Sequence, residues 1–300
     1  MIVPTRDRPH LLDDCLASLV ASLRPIDELI VVDSASSVTA VREVAASHGA
    51  RYIRTEVPGA STARNLGWRS ARNELVAFVD DDVRVEPGWA AGLARAFTDP
   101  GTTFVTGRIG DPPPPAGGRA VSGPPVAQKV DAEPARLGPA TPGILGHSAN
   151  LAVRRRALEH IGGFDQLLGA GGRFRAAEDL DLFDRLFAAG YIGRYEPAAS
   201  GFHEPWRRKR DYVRLQSSYG FGVGARVAKL LRTDRARARR AARTAFVDWG
   251  FSQIVRSIRA RSLARFLAWS LRLLTTVAGF AAAVIVPVRD GHLGGRRYVQ

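Results

Sequence analysis

Cysteine is nearly absent: one, Cys15, in 300 residues, with a single methionine. One thiol excludes an intrachain disulfide and a cysteine-rich zinc site, and it suits a reducing compartment. Acidic residues are scarce at the back of the chain. Residues 205–300 hold 4 Asp+Glu against 21 Lys+Arg, a balance of +17, whereas residues 1–204 hold 25 against 22, a balance of −3. The net charge of +14 therefore belongs to the last third. No apolar stretch opens the chain, because Pro4 and the charged Arg6-Asp7-Arg8 follow almost at once. No secretory signal is expected, and the front of the chain is expected in the cytosol. The uncharged run Leu273–Val288 is shorter than the ~20 residues of a membrane-spanning helix.

What is present is a core. The composition is 45% hydrophobic over 300 residues, ample for one large domain with an appendage. The expected division is a near-neutral globular domain, 1–204, and a basic helical extension, 205–300. In the first part, short apolar runs alternate with stretches of helical spacing. Ile2-Val3, Leu29–Val32, Arg51–Arg54, Leu75–Val79 and Thr103–Thr106 read as strands. Leu11–Leu23, Val38–His48, Ser61–Arg72 and Gly88–Phe97 read as helices, the third with Ser61 or Thr62 near its N-cap. This rhythm predicts an α/β class: a three-layer α/β/α sandwich around a mostly parallel central sheet. Asp111–Pro142, rich in Pro, Gly and Ala, reads as a long irregular segment, and Ala177–Ala189 as a helix.

Ligands of such sheets bind beyond the carboxyl ends of the strands. Thr5, Asp33 and Asp80-Asp81-Asp82 all fall at such ends. Three consecutive carboxylates repel one another, and a hard cation with oxygen ligands relieves the repulsion, although a solvated acidic turn accounts for the same letters. Asp33 suits hydrogen bonds from a base or ribose, or a turn. Arg64 follows the small residues Gly59–Ala63, which permit close backbone approach to a nucleotide. Glu178 and Asp179 open a helix, where the helix dipole favours them; an aspartate there also suits a general base that removes a hydroxyl proton. His203 is structural or a metal ligand.

The order and spacing of these residues resemble family 2 glycosyltransferases of the GT-A fold, from Val3 to about His203. Val3–Pro9 is similar to that family's opening strand and nucleotide loop, and Val31-Val32-Asp33-Ser34 to its second nucleotide-contacting segment. Phe78–Asp82 is similar to its DxD motif. Gly162–Asp165 with Glu178–Leu182 is similar to its acceptor-side segment, which includes Glu178. The resemblance implies an inverting transfer from a nucleotide-sugar donor, with UDP, GDP or dTDP as the leaving group. Pro4, Thr5, Arg8, Asp33, Arg64 and Asp80 would contact the nucleotide. Asp82, Asp80 and His203 would lie at a divalent cation, Mg²⁺ or Mn²⁺. Asp179 would be the catalytic base.

The basic extension calls for a polyanion. Arg259, Arg261 and Arg265 precede the apolar stretch Phe266–Val288, and Arg289, Arg296 and Arg297 follow it. Basic clusters at both ends favour an in-plane or re-entrant segment on an anionic membrane surface over a single span. The expected location is the cytoplasmic face of the cell membrane, with a glycan or lipid-linked glycan as acceptor. A nucleic-acid-binding protein using Arg207–Arg265 is the rival from another class, but that stretch interleaves few aromatics and carries no reading motif. A non-catalytic glycan-binding relative is a further alternative, against which Asp82 and Asp179 both count. Thr5–His10 contains no glycine, which disfavours a sugar-phosphate nucleotidyltransferase.

Overall fold

The structure, a computed structural model, describes residues 1–112, 128–141, 143–206 and 211–295. The chain forms two compact units. The first comprises Met1–Gly163 and Phe183–Trp206, and the second comprises Phe164–Leu182 and the residues after Trp206.

The first unit is built on a nine-stranded sheet. Its elements are β1 (Ile2–Thr5), α1 (Pro9–Val20), β2 (Ile30–Ser34), α2 (Ala40–Ser47), β3 (Arg51–Thr55), α3 (Ala60–Ser70), β4 (Leu75–Val79), β5 (Val83–Val85) and α4 (Trp89–Ala96). Then follow β6 (Thr102–Gly110), β7 (Ala135–Leu137), β8 (Asn150–Arg154), α5 (Arg155–Ile161), the C-terminal part of α6 (Glu178–Ala188) and β9 (Ile192–His203). The strand order is β3-β2-β1-β4-β8-β6-β9-β5, with β7 added to β9. Strands β3, β2, β1, β4, β6 and β9 point one way, whereas β8, β5 and β7 run against their neighbours. The central sheet is thus mostly parallel, as the βα rhythm implied.

Burial explains the strand sequences. Every residue of β2 is buried, which suits a parallel strand covered on both faces, and its Ile30-Val31-Val32 reads as an apolar run rather than an alternation. Pro9 occupies the first turn of α1, where its missing N–H costs nothing. Pro4 is buried in β1, whose pairing with β4 is confined to Ile2↔Phe78, so no ladder bond is demanded of it there. Gly67 lets α3 lie close on β1: a Cβ there would come within 2.5 Å of the Ile2 side chain.

Two local expectations change, and a stretch the sequence left unassigned proves to be a strand. The N-cap of α3 is Gly59 at φ 146°, not Ser61 or Thr62, which lie buried inside the helix. The glycine makes a turn closed to residues with a Cβ. The irregular segment Asp111–Pro142 contains strand β7, which pairs with β9; residues 113–127 and 142 of that segment lie outside the described residues. The stretch before His203 is the 12-residue β9, and β5 pairs with its end.

The second unit is helical: α7 (Asp211–Thr233), α8 (Arg235–Arg243), a π-helical stretch Thr244–Phe251, α9 (Ser252–Arg259) and α10 (Leu263–Val284), then a small hairpin of β10 (Val288–Arg289) and β11 (His292–Leu293). Helices α7 and α10 pack through small residues. A Cβ on Gly224 would collide with the Thr276 carbonyl oxygen, and one on Gly279 with that of Phe221. Arg272, the charge inside the apolar stretch, turns inward. Its guanidinium lies 5.6 Å from the Tyr219 ring centre, 5.3 Å from Trp249 and 4.9 Å from Trp269, and it donates to Gln216 Oε1 at 2.7 Å. The other side of α10 exposes Leu263, Leu267, Leu274, Val277 and Val284. Among the described residues, α10 is the one helix long and apolar enough to cross a membrane by length and composition.

Candidate active site

Parallel pairing places Thr5 opposite Asp33 and puts the end of β4 beside β1, so the residues that follow these strands gather at one end of the sheet. The turn after β4 carries Asp80, Asp81 and Asp82, and β5 pairs with β9 so that Val83 faces His203.

The three aspartates have different partners. Asp80 receives Arg64, whose NH2 group lies 2.6 Å from Oδ1. Arg64 is only 2% exposed, so it acts from behind the carboxylate rather than from open solvent. Burial opposes the Asp80 charge, but Arg64, His203 and Arg8 together hold its pKa below the ordinary value. Asp81 is fully buried. It accepts the Thr5 hydroxyl at 2.7 Å and pairs with Arg8 NH2 at 2.6 Å. Burial pushes its pKa up to about 7, with Asp82 and Asp80 acting in the same direction and Arg8 and Thr5 opposing them. Asp82 pairs with Arg8 NH1 at 3.4 Å through Oδ2, and its Oδ1 lies 4.0 Å from His203 Nε2.

Asp80, Asp82 and His203 each offer one ligand atom, and these atoms lie within 4.8 Å of one another. Two carboxylate oxygens and an imidazole nitrogen fit a divalent cation such as Mg²⁺ or Mn²⁺, which keeps water or phosphate oxygens in its remaining positions. Thr5, Arg8, Arg64, Asp80, Asp82 and His203 thus form one connected group, with Pro4 just before Thr5 in β1.

Asp33 heads a neighbouring group. It is fully buried, accepting the Tyr52 hydroxyl at 2.6 Å, Arg54 NH1 at 3.0 Å and the Ser36 N–H at 2.8 Å. The loops after β1 and β2 are tied together there. Asp7 and Ala35 both take positive φ, 56° and 57°, and Asp7 accepts from the Ser37 N–H and hydroxyl. Left-handed non-glycine residues store strain that the surrounding bonds must hold.

Glu178 and Asp179 belong to the second unit and are described within it. Both are half-buried in the first turn of α6, and Asp179 Oδ1 accepts the Leu180 N–H at 2.7 Å. Arg175 and Ala177, just before that turn, have positive φ of 63° and 69°. The turn is anchored by Lys229 of α7, which pairs with Asp181 at 2.5 Å and with Asp165 at 2.8 Å. Asp165 also accepts the Leu293 N–H at 2.7 Å. In the first unit, Asp7, Asp81 and Trp206, whose indole N–H donates to Asp82 Oδ2, have contacts that the sequence did not reveal; in the second unit the same holds for Lys229.

The fold is shared with solved structures. The mannosyltransferase PcManGT from Pyrobaculum calidifontis, in complex with GDP-Man and Mn2+, superposes with a TM-score of 0.57 at 21% identity, over 97% of this chain and 76% of that one. S. aureus TarS 1-349 in complex with UDP-GlcNAc gives 0.54 at 15% identity, over 97% of this chain and 94% of that one. These likenesses show the fold, which is GT-A. The sequence then gives the family: residues 1–162 match glycosyl transferase family 2, and the chain belongs to it. The pre-mycofactocin glycosyltransferases of Mycobacterium tuberculosis strains CDC 1551 and H37Rv are 28% identical over 231 residues. That alignment covers 73% of this chain but 45% of theirs, so the chain spans about half the length of the curated relatives it matches.

Proposed function

We propose that the chain is an inverting, metal-dependent glycosyltransferase. It takes a sugar from a nucleotide diphosphate donor and passes it to a hydroxyl of an envelope glycan or a lipid-linked glycan. The observation that carries this reading is the Asp80–Asp82–His203 group at the carboxyl end of β4, braced by Arg8 and Arg64. Solved relatives of this fold hold GDP-Man with Mn2+, or UDP-GlcNAc, which supports the same donor class here. A bound Mg²⁺ or Mn²⁺ would stabilise the charge developing on the leaving diphosphate. Asp80 would contact the ribose or share the cation with Asp82 and His203. Asp33 with Pro4, Thr5 and Arg8 would line the nucleoside and its phosphates, and Arg64 would act through Asp80.

Asp179 would take the acceptor's proton as its oxygen attacks the anomeric carbon and the bond to the diphosphate breaks on the opposite face. A group that accepts a proton only in the transition state raises turnover rather than affinity. Glu178 would face the acceptor. The catalytic domain in this reading is 1–204, with 205–300 as an extension.

We assign that extension to an anionic membrane surface on the cytoplasmic side. Support comes from the two faces of α10: Arg272 is enclosed by aromatic rings on one, while Leu263, Leu267, Leu274, Val277 and Val284 are exposed on the other. Arginines of α8 and α9 add the charge that anionic headgroups attract.

Thermal-shift titration with UDP-, GDP- and dTDP-sugars, with and without Mn²⁺, tests the donor reading. One donor family should stabilise the protein in a Mn²⁺-dependent way, and Asp82→Asn should remove that dependence. Full metal-dependent transfer by the Asp82→Asn enzyme would overturn it.

A further inference from the structure

The end of β9 and the residues just after it close on Asp82 from several sides. His203 sits opposite Val83 in the β5–β9 ladder. The Glu204 N–H donates to the Asp82 carbonyl at 2.8 Å, and Arg84 pairs with the Glu204 carboxylate. Two residues on, the Trp206 indole Nε1–H donates to Asp82 Oδ2 at 2.7 Å. The Arg8 guanidinium lies over the same indole, 5.0 Å from the ring centre, and reaches both Asp82 Oδ2 at 3.4 Å and Asp81 Oδ1 at 2.6 Å.

This arrangement distinguishes the two oxygens of one carboxylate. Oδ2 is held by an indole N–H and a guanidinium, while Oδ1 is the oxygen near His203 Nε2. A quarter turn of the carboxylate about Cβ–Cγ would carry the oxygen out of reach of both the indole N–H and the Arg8 guanidinium, breaking the indole bond and the ion pair together. Packing does not account for the tryptophan, because Trp206 is 44% exposed and a core indole would be enclosed. Its polar edge faces the site and its ring carries Arg8. Hydrogen-bond donors of this kind, one step behind a metal ligand, fix ligand orientation, and losing one typically lowers metal affinity or activity about 10–100-fold.

We infer that Trp206 is a positioning residue for the cation ligand Asp82: its indole N–H locks Oδ2 so that Oδ1 faces the cation, and its ring holds Arg8 against Asp81 and Asp82. The inference rests on the metal reading proposed above. One four-residue segment, His203–Trp206, then supplies both a ligand and the group that aims a second ligand.

The test is Mn²⁺ binding followed by the electron paramagnetic resonance signal of free Mn²⁺, with Mn²⁺ alone and with UDP or GDP added. Trp206→Phe keeps a ring under Arg8 and removes only the N–H; Trp206→Leu removes both. Trp206→Phe should weaken Mn²⁺ binding about 10-fold or more, with a melting temperature near that of the parent. Trp206→Leu should weaken it further. Unchanged or tighter Mn²⁺ binding by Trp206→Phe overturns the inference while leaving the metal reading intact. Absence of Mn²⁺ binding by the parent protein, with either nucleotide, overturns the metal reading and this inference with it.

Discussion

The two units use charge in opposite ways. In the first, charges of both signs converge: Arg8 and Arg64 are set among Asp80, Asp81 and Asp82 at distances of 2.6–3.4 Å. In the second, α8 is an arginine-rich helix whose buried residues are Ala238 and Ala241, with Arg235, Arg239, Arg240 and Arg243 on its exposed side. Charges with internal partners there include Lys229 between Asp165 and Asp181, Arg232 against the carbonyls of Ala283, Val284 and Val286, and Arg272 among its rings. Charge held at fixed distance sets pKa values and ligand geometry. Charge on a solvated helix face sets long-range attraction and is screened by salt. The same residue type therefore has two meanings, and the sheet or helix beneath it determines which applies.

The sharpest way to break this comparison is at Asp179. If that turn is chemical, Asp179→Asn should lower kcat about 10²–10⁴-fold with donor affinity nearly unchanged, measured by steady-state transfer and by donor titration. Loss of donor affinity with kcat retained would make Asp179 a helix cap. Next is Lys229. Removing one partner from a buried ion group leaves unpaired charge, so Lys229→Met should cost about 3–5 kcal/mol in denaturant unfolding. A stability within ~1 kcal/mol of the parent would show that the Asp165–Lys229–Asp181 group is not an anchor. The smallest effect belongs to the exposed apolar stripe. Leu274→Glu should weaken binding to phosphatidylserine vesicles severalfold in co-sedimentation, with no change in melting temperature, because Leu274 is 67% exposed. Vesicle binding indifferent to both that substitution and salt would remove the membrane assignment.

Much of this was legible in the chain. The strands β2 and β4 are built on short, continuous apolar runs, β3 is a shorter and more polar strand at the sheet edge, and their parallel order follows from the helices between them. The aspartates at their ends were readable because a strand end is a place, not only a composition. β9 was not readable: Gly193, Pro197 and Gly201 interrupt its pattern, and its register against β6 shifts between Gly107 and Arg108. With β9 unread, His203 had no neighbour in sequence to explain it. Trp206 and Lys229 were missed for a related reason. Their partners are 124 residues away in one case, and 64 residues away, at Asp165, in the other. Periodicity describes only what lies within a few turns. The division of labour among the three aspartates likewise depends on which oxygen meets which arginine, and no spacing rule contains that.

The β5–β9 pairing has a practical consequence for altering this protein. The cation corner is assembled from the turn after β4, the strand β5 and the end of β9, none of which lies between Asp111 and Pro142. Among the described residues, β7 pairs with β9 at Gly193–Tyr195, well before His203. Substitutions among residues 128–141 therefore alter none of the elements that carry Asp80, Asp82 and His203, so this stretch and the proposed cation corner can be varied separately.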